Sequence, residues 1–582
     1  VHTPDDNDGI ERSERRAAPA SDPRPTEPAA PIDPLESSVI GAPAEAPSSP
    51  RPRGLTDDGR LMSGRLAGLT MSAAIATLSW PVLAESFLNA MVGLTDTVLS
   101  TSISAAATDA VSGAAYMTWF MGLVVQSLGL GATALISRAV GARRLGVANA
   151  AVGQSVLLAV VLGMVAGMII AATAPIAATL LSMGPDGNPE ARQAFLTYMR
   201  ISAVGGPAMA LLFTLVAAAR GAGDNVRPLV AMLIVNVTNI LASWALSGTD
   251  LTRAAPTPID PLARRVLIEN PFSFDLGVAG IAWGTVLSYA VGAAFMVLVL
   301  MRGAGASGVR LRARRLRPHF HTALRVLRVA FPNFLEMLGM WIGNFAVVLV
   351  VGWLGRGGMA GAAGGASAAH TAATGAASDG GALGAHMVAI RIEAFSFLPG
   401  FAFGAAAATL AGQYLGAGSP HHAARAVARC AWMAACIMGV AGVILCTLGG
   451  PIVGTLSALP EHQHTVPPLL FIAGLVQIPF ALSIVFRSAL RGAGDTKGAM
   501  WITWITTYLV RLPLAWILSG ADIPLPAWAG GGSGAVIDNP WPNSWEPLGL
   551  TGLWIGLCLE IVIRAAWFAR RFAAGKWKTL RV

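Results

Sequence analysis

Glu85 and Asp96 stand eleven residues apart in one long apolar run. On a helix that spacing is about three turns, so the two carboxylates share roughly one face and lie about 16 Å apart along the axis. Charge inside a hydrocarbon layer is expensive and usually marks function. A carboxylate taken out of water can be neutralised by a proton or by a bound cation. Exchange between those two states is the chemistry that ion-driven transport requires. The plainer reading of Glu85 is a hydrogen-bonded group at headgroup level, and Asp96 is the stronger candidate of the two. Glu336 stands in for Glu85 in the second half of the chain.

Other polar groups inside apolar runs could assist. Asn236 and Asn239 are three residues apart, on one helix face, as oxygen ligands for a cation or as braces between helices. Arg391 and Glu393 are two apart, point in different directions, and should each meet another helix in a structural polar network. Arg487 and Arg511 lie close to the ends of apolar runs, where they can snorkel or bind internal carboxylates. Pro81 and Pro332 each remove a backbone donor from a helix interior, which produces a static kink or a hinge.

Enzymatic chemistry has no support. The sequence contains no Walker A, dinucleotide-binding or HExxH pattern. Its four cysteines, Cys430, Cys436, Cys446 and Cys558, form no CxxC pair and read as small packing residues. The expectation is therefore no catalytic residue, no cofactor, and no metal beyond a Na+ site near Asp96. The only inorganic partner would be a transported H+ or Na+.

The elements that must position these groups follow from hydropathy. Of 582 residues, 54% are hydrophobic and 12% charged, too little charge to cover a soluble domain of this length. Twelve runs are long enough to cross a bilayer as helices: 70–100, 109–137, 148–181, 194–219, 226–248, 277–301, 329–354, 384–412, 430–456, 466–490, 499–519 and 549–569. The expected fold is an all-α polytopic membrane protein. Its parts are a disordered tail at 1–65, a six-helix lobe at 66–301, a basic linker at 302–328, a second lobe at 329–573, and a short tail at 574–582. The net charge of +9 comes from basic residues flanking apolar runs, which argues against a nucleic-acid partner. Clusters such as Arg138, Arg143 and Arg144, or Arg310 to Arg317, alternate with poorer loops, which places both termini in the cytoplasm and the chain in the cell inner membrane. Three long outside loops remain, at 249–276, 355–383 and 520–548, the middle one of low complexity.

The halves repeat. Pro81 precedes Glu85 by four residues and Pro332 precedes Glu336 by four; Gly141-Ala142 returns as Gly416-Ala417; RGAGD at Arg220–Asp224 returns at Arg491–Asp495. Two homologous six-helix bundles with a cleft between them account for that order, related by an axis along the membrane normal.

The stretches PVLAESFLNAMVGLTDT, GLGLGATALISRAVGARR, AARGAGD, HMVAIRIEAFSFLPGFAFGAAAATLAGQYLGAG and FRSALRGAGDTKGAMWITWITTYLVRLPLAW resemble the multidrug and toxic compound extrusion (MATE) transporters of bacteria, across about residues 66–573. The resemblance implies two pseudosymmetric lobes, rocker-switch efflux of organic and often cationic compounds, and inward movement of Na+ or H+ as the driving reaction. It places the family's first-helix aspartate on Asp96 and its seventh-helix carboxylate on Glu336. Two departures stand out. A fifth-helix acid of one branch falls on Ser243, and a tenth-helix acid of another falls near Phe480. Expected partners are a small organic substrate and membrane lipid, with the monomer as the working unit. Two rivals are export or flipping of an endogenous lipid-linked amphiphile, and a nontransporting receptor or scaffold.

Overall fold

The computed structural model describes residues 55–56, 59–62 and 66–580, apart from 181–188, 255–263, 273, 304–307, 358–380, 457–459, 525–535 and 541–547. The helices of the first half are α1 (Met71–Ile103), α2 (Ala105–Gly141), α3 (Leu145–Leu180), α4 (Pro189–Gly221), α5 (Val226–Ser247) and α6 (Gly277–Arg302). Those of the second half are α7 (Phe320–Gly357), α8 (Ala382–Gly416), α9 (Pro420–Leu456), α10 (Pro460–Leu475), α11 (Gln477–Gly492), α12 (Thr496–Ile505), α13 (Leu512–Ser519) and α14 (Gly549–Ala573). Among the described residues, eleven helices are long and apolar enough to cross a membrane, and α10 with α11, bent by 56°, make a twelfth when taken as one span.

Local chemistry explains the ends and breaks. Thr70 caps α1 by accepting from the Ala73 N–H, and Ser104 caps α2 by accepting from Ala107. The tenth span breaks at Val476 because Pro479, three residues on, has no N–H to offer the preceding turn. In the eleventh span, α12 and α13 are joined by a π-helical segment, Thr506–Arg511. Pro513 follows it and cannot donate to the carbonyl four residues back, so the ladder slips there. By contrast, α1 and α7 run unbroken through Pro81 and Pro332.

At one end of the bundle, small antiparallel hairpins join helices: β1 (Leu251–Ala254) with β2 (Arg264–Ile268), and β3 (Ile523–Pro524) with β4 (Val536–Ile537). These hairpins occupy the first and third of the long loops. The second falls almost wholly outside the described residues. The opposite end carries Arg143 and Arg144 between α2 and α3, Arg220 and Arg227 on either side of the α4–α5 turn, and the arginines of the α6–α7 connection.

Three stretches outside the two helix bundles are packed against them, one of them in the tail expected to be disordered. Most of the expected disordered tail lies outside the described residues, but Leu55 and Leu61 form an antiparallel bridge. Leu61 is 2% exposed and shares a core with Tyr414, Phe568 and Trp577. Two leucines in a proline-rich segment carry no periodic signal, yet they meet an apolar surface made by distant helices. At the other terminus, the Trp577 ring stacks on Phe572 at 4.9 Å. The basic linker is strapped to α3 in the same manner. The Gln154 amide donates to the carbonyls of Arg315 and Arg317 at 3.1 and 2.8 Å, and its oxygen accepts from the His319 N–H.

The two halves meet at the arginine-rich end through small residues. Ser137 and Gly141 on α2 face Gly412 and Gly416 on α8, with the Gly141 Cα beside the Gln413 carbonyl and Gly416 beside the Arg138 carbonyl. Small residues four apart on each helix let the backbones touch. Thr409 donates to the Arg220 carbonyl at 3.2 Å, Gln413 to the Gly221 carbonyl at 3.2 Å, and Arg138 to the Ala493 carbonyl at 2.9 Å.

Candidate functional site

Asp96 sits in the C-terminal half of α1, only 6% exposed. Three further helices converge on it. Tyr198 from α4 donates its hydroxyl to Asp96 Oδ2 at 2.8 Å. Thr285 from α6 lies 3.1 and 3.0 Å from the two carboxylate oxygens. Asn239 from α5, fully buried, donates through Nδ2 to Thr285 Oγ1 at 2.9 Å and to Ser243 Oγ at 3.3 Å. The Ser243 hydroxyl donates to the Ile281 carbonyl at 3.3 Å. One branch of this network runs from the Asn239 amide to the Thr285 hydroxyl to the Asp96 carboxylate, and another leads from Asn239 through Ser243 to the Ile281 carbonyl. Two hydroxyl donors onto one carboxylate complement its charged form.

One polar atom in this cluster is unpaired. Asn239 Oδ1 is buried with no hydrogen-bond partner among the described residues. A buried amide oxygen left alone costs about 1–3 kcal/mol unless a water, proton donor or cation meets it. Together with the Asp96 oxygens and the Thr285 and Tyr198 hydroxyls it forms an all-oxygen donor set. Such a set suits H+ or a hard monovalent cation, whereas soft metals prefer sulfur or imidazole. Tyr289, one turn beyond Thr285, lies within electrostatic range of Asp96 and packs edge-on against Phe213 at 6.0 Å.

The remaining candidates lie elsewhere. Asn236 donates to the Met232 carbonyl of its own helix, and its Oδ1, like that of Asn239, is buried with no hydrogen-bond partner among the described residues. Glu85 pairs with Arg220 at 2.6 Å, and Glu336 pairs with Arg491 at 2.7 Å, with the Thr503 hydroxyl donating to Glu336 Oε1 at 2.8 Å. The two ion pairs occupy matching positions of the internal repeat. Each carboxylate is held by the arginine that opens RGAGD, near the arginine-rich end, and neither joins the Asp96 cluster. The closing aspartates differ. Asp224 binds Arg227 locally, whereas Asp495 takes a bidentate contact at 2.9 and 3.0 Å from Arg571 on α14.

A second polar network fills the C-terminal lobe. Arg511 donates to Asn344 Oδ1 at 2.6 Å and lies within electrostatic range of Glu393 and Glu560. Arg564 bridges Glu560, Thr506 and Thr507, so the π-helical segment presents both threonine hydroxyls to one guanidinium. Arg487 reaches the Met340 sulfur at 3.0 Å. Arg391 points the other way, exposed beside an apolar cavity. As the two-residue spacing implies, it does not meet Glu393. Phe480 packs edge-on against Phe397 at 5.5 Å, an aromatic contact where a carboxylate would be stranded.

Sequence reasoning missed Tyr198, Thr285 and the pair Glu560–Arg564. Tyrosine was the available clue for the first, because the chain has only five and two of them, Tyr198 and Tyr289, converge here. A threonine in an apolar helix gives no such signal.

The chain as a whole is similar to known membrane proteins. The family model MatE matches residues 81–245 and 367–517. A probable multidrug resistance protein NorM of Thermotoga maritima is 26% identical over 505 residues, covering 86% of this chain and 92% of that protein. The multidrug resistance protein MdtK of Pectobacterium atrosepticum is 24% identical over 45% of this chain and 52% of its own length. Among solved structures, the outward-facing conformation of a multidrug resistance MATE family transporter superposes with a TM-score of 0.67 at 20% identity, covering 87% of this chain and 97% of that one. With twelve crossings, a repeated pair of lobes and a family match over both halves, the chain belongs to the MatE family of membrane transporters.

Proposed function

We propose that this protein is a secondary antiporter of a bacterial inner membrane. It exports organic compounds, cationic and amphiphilic ones among them, in exchange for H+ or Na+. The observation that carries the reading is the Asp96 cluster, a buried carboxylate with converging donors and one unpaired amide oxygen. The names of the NorM and MdtK relatives support organic compounds as cargo. Both termini face the cytoplasm in this reading, because the arginine-rich end is the one that positive-inside asymmetry assigns there.

Coupling follows from differential affinity. An ion at Asp96 ties α1, α4, α5 and α6 together, whereas the empty site leaves an unneutralised carboxylate and an orphaned amide oxygen. The two conditions favour different arrangements of α1, whose first turns pack against the other lobe through Ala74, Ile75 and Leu78. Ion occupancy therefore biases the lobes, and substrate occupancy biases them reciprocally. The protein works as a monomer surrounded by lipid.

Reconstitution tests the reading. Dye export from proteoliposomes is measured under an imposed Na+ gradient, an imposed pH gradient, and neither. Export driven by at least one gradient supports antiport. Equal export in all three conditions contradicts it.

A further inference from the structure

Arg391 lies eighteen residues before Thr409 on α8, or five turns, so the two side chains share one face. Thr409 uses that face to reach Arg220 of the other lobe. Arg391 itself lies nearer the hairpin end of α8, past Pro399, and its side chain is exposed. It sits about 14 Å from the start of α8, inside the membrane-crossing segment. Next to it is a cavity of about 540 Å³. Val388, Ile392 and Phe395 of α8 and Ile444 and Leu445 of α9 form its walls. No acidic side chain lines this cavity, and Arg391 has no carboxylate partner among the described residues. Glu393 faces away, toward Arg511.

A guanidinium in an apolar groove within the membrane is costly without an anion. Its planar fork binds a carboxylate, sulfonate or phosphate through two parallel hydrogen bonds. The cavity volume falls in the range typical of drug-sized ligands. We propose that this groove is a substrate subsite for amphiphiles with one anionic head, held by Arg391, and an apolar body lying between α8 and α9. The assignment rests on the transporter reading and narrows it: the cargo includes organic anions as well as cations.

Equilibrium binding tests it with the full-length protein in nanodiscs of zwitterionic lipid. The probes are the anionic dye 1-anilinonaphthalene-8-sulfonate and the cationic dye ethidium. Arg391→Gln should weaken sulfonate binding by about tenfold or more, and Arg391→Lys by less, because a point charge keeps attraction and loses the fork. Val388→Trp, which fills the groove, should also weaken sulfonate binding. Ethidium affinity should stay within about twofold in all three variants. Unchanged sulfonate affinity in Arg391→Gln overturns the proposal, as does parallel loss of both dyes. Native mass spectrometry adds a further arm. A stoichiometric phospholipid that is lost in Arg391→Gln and competes with the sulfonate would make the groove a resident-lipid site and defeat the substrate assignment. Binding is read without any gradient, so failure of ion-driven export leaves this outcome separately measurable.

Discussion

Arg491 holds Glu336 through two contacts, Nη2 to Oε1 at 2.7 Å and Nε to Oε2 at 3.0 Å, in the position that Arg220 and Glu85 occupy in the other lobe. Each pair ties the early part of a lobe's first helix to the last turn of the span that ends in RGAGD. With the carboxylate already neutralised by a fixed cation, Glu336 is better suited to positioning α7 than to exchanging ions.

That assignment makes a stability prediction. Removing one partner of a buried ion pair strands the other and costs about 3–5 kcal/mol, while removing both costs far less. Glu336→Gln should lower the unfolding temperature in detergent markedly, and Glu336→Gln combined with Arg491→Met should recover about half of the loss or more. A coupling role would give the opposite pattern, with a stable Glu336→Gln protein that fails only in gradient-driven export.

Tyr198 and Thr285 should tune ion binding without being indispensable. Each donates one hydrogen bond to Asp96, and such bonds to a charged group contribute about 1.5–3 kcal/mol. Tyr198→Phe and Thr285→Val should each shift the ion concentration for half-maximal export by about tenfold or more. Because both touch one carboxylate, the double variant should be non-additive. Unshifted ion dependence in both single variants would remove the cluster from coupling.

The helix crossing at Ser137, Gly141, Gly412 and Gly416 should govern closure of the arginine-rich end. A side chain added at Gly412 runs into Ser137, and one at Gly141 into the Gln413 backbone. Gly412→Leu should force the lobes apart there, raising cysteine-labelling rates at Arg138→Cys and abolishing transport while the protein remains in the membrane. Unchanged labelling together with normal transport would show that the crossing is not a gate.

Much of this was legible in the sequence, for reasons of length scale. Helix count follows from apolar runs about twenty residues long, and the repeat follows from short identical segments in matching order. Asp96 stood out because a carboxylate in such a run is conspicuous. Asn239 was visible for the same reason, but its place beside Asp96 was not, and Tyr198 and Thr285 gave no such signal. Tyr198, Asn239 and Thr285 come from three other helices, and only packing brings them within 3 Å of one another or of Asp96. The buried ion pairs illustrate the same limit, since Glu85 and Arg220 were each visible but their contact was not. Broken spans were also hidden, because Pro479 and Pro513 act on hydrogen bonds that hydropathy does not register.

Export by Asp96→Asn in proteoliposomes is the most direct measurement of the central claim. The variant keeps the shape of the side chain and removes its charge and exchangeable proton. It should insert, fold and bind substrate, yet lose gradient-driven export to the level of protein-free vesicles. Export at the wild-type rate with the wild-type ion dependence would contradict the assignment of Asp96 as the coupling group.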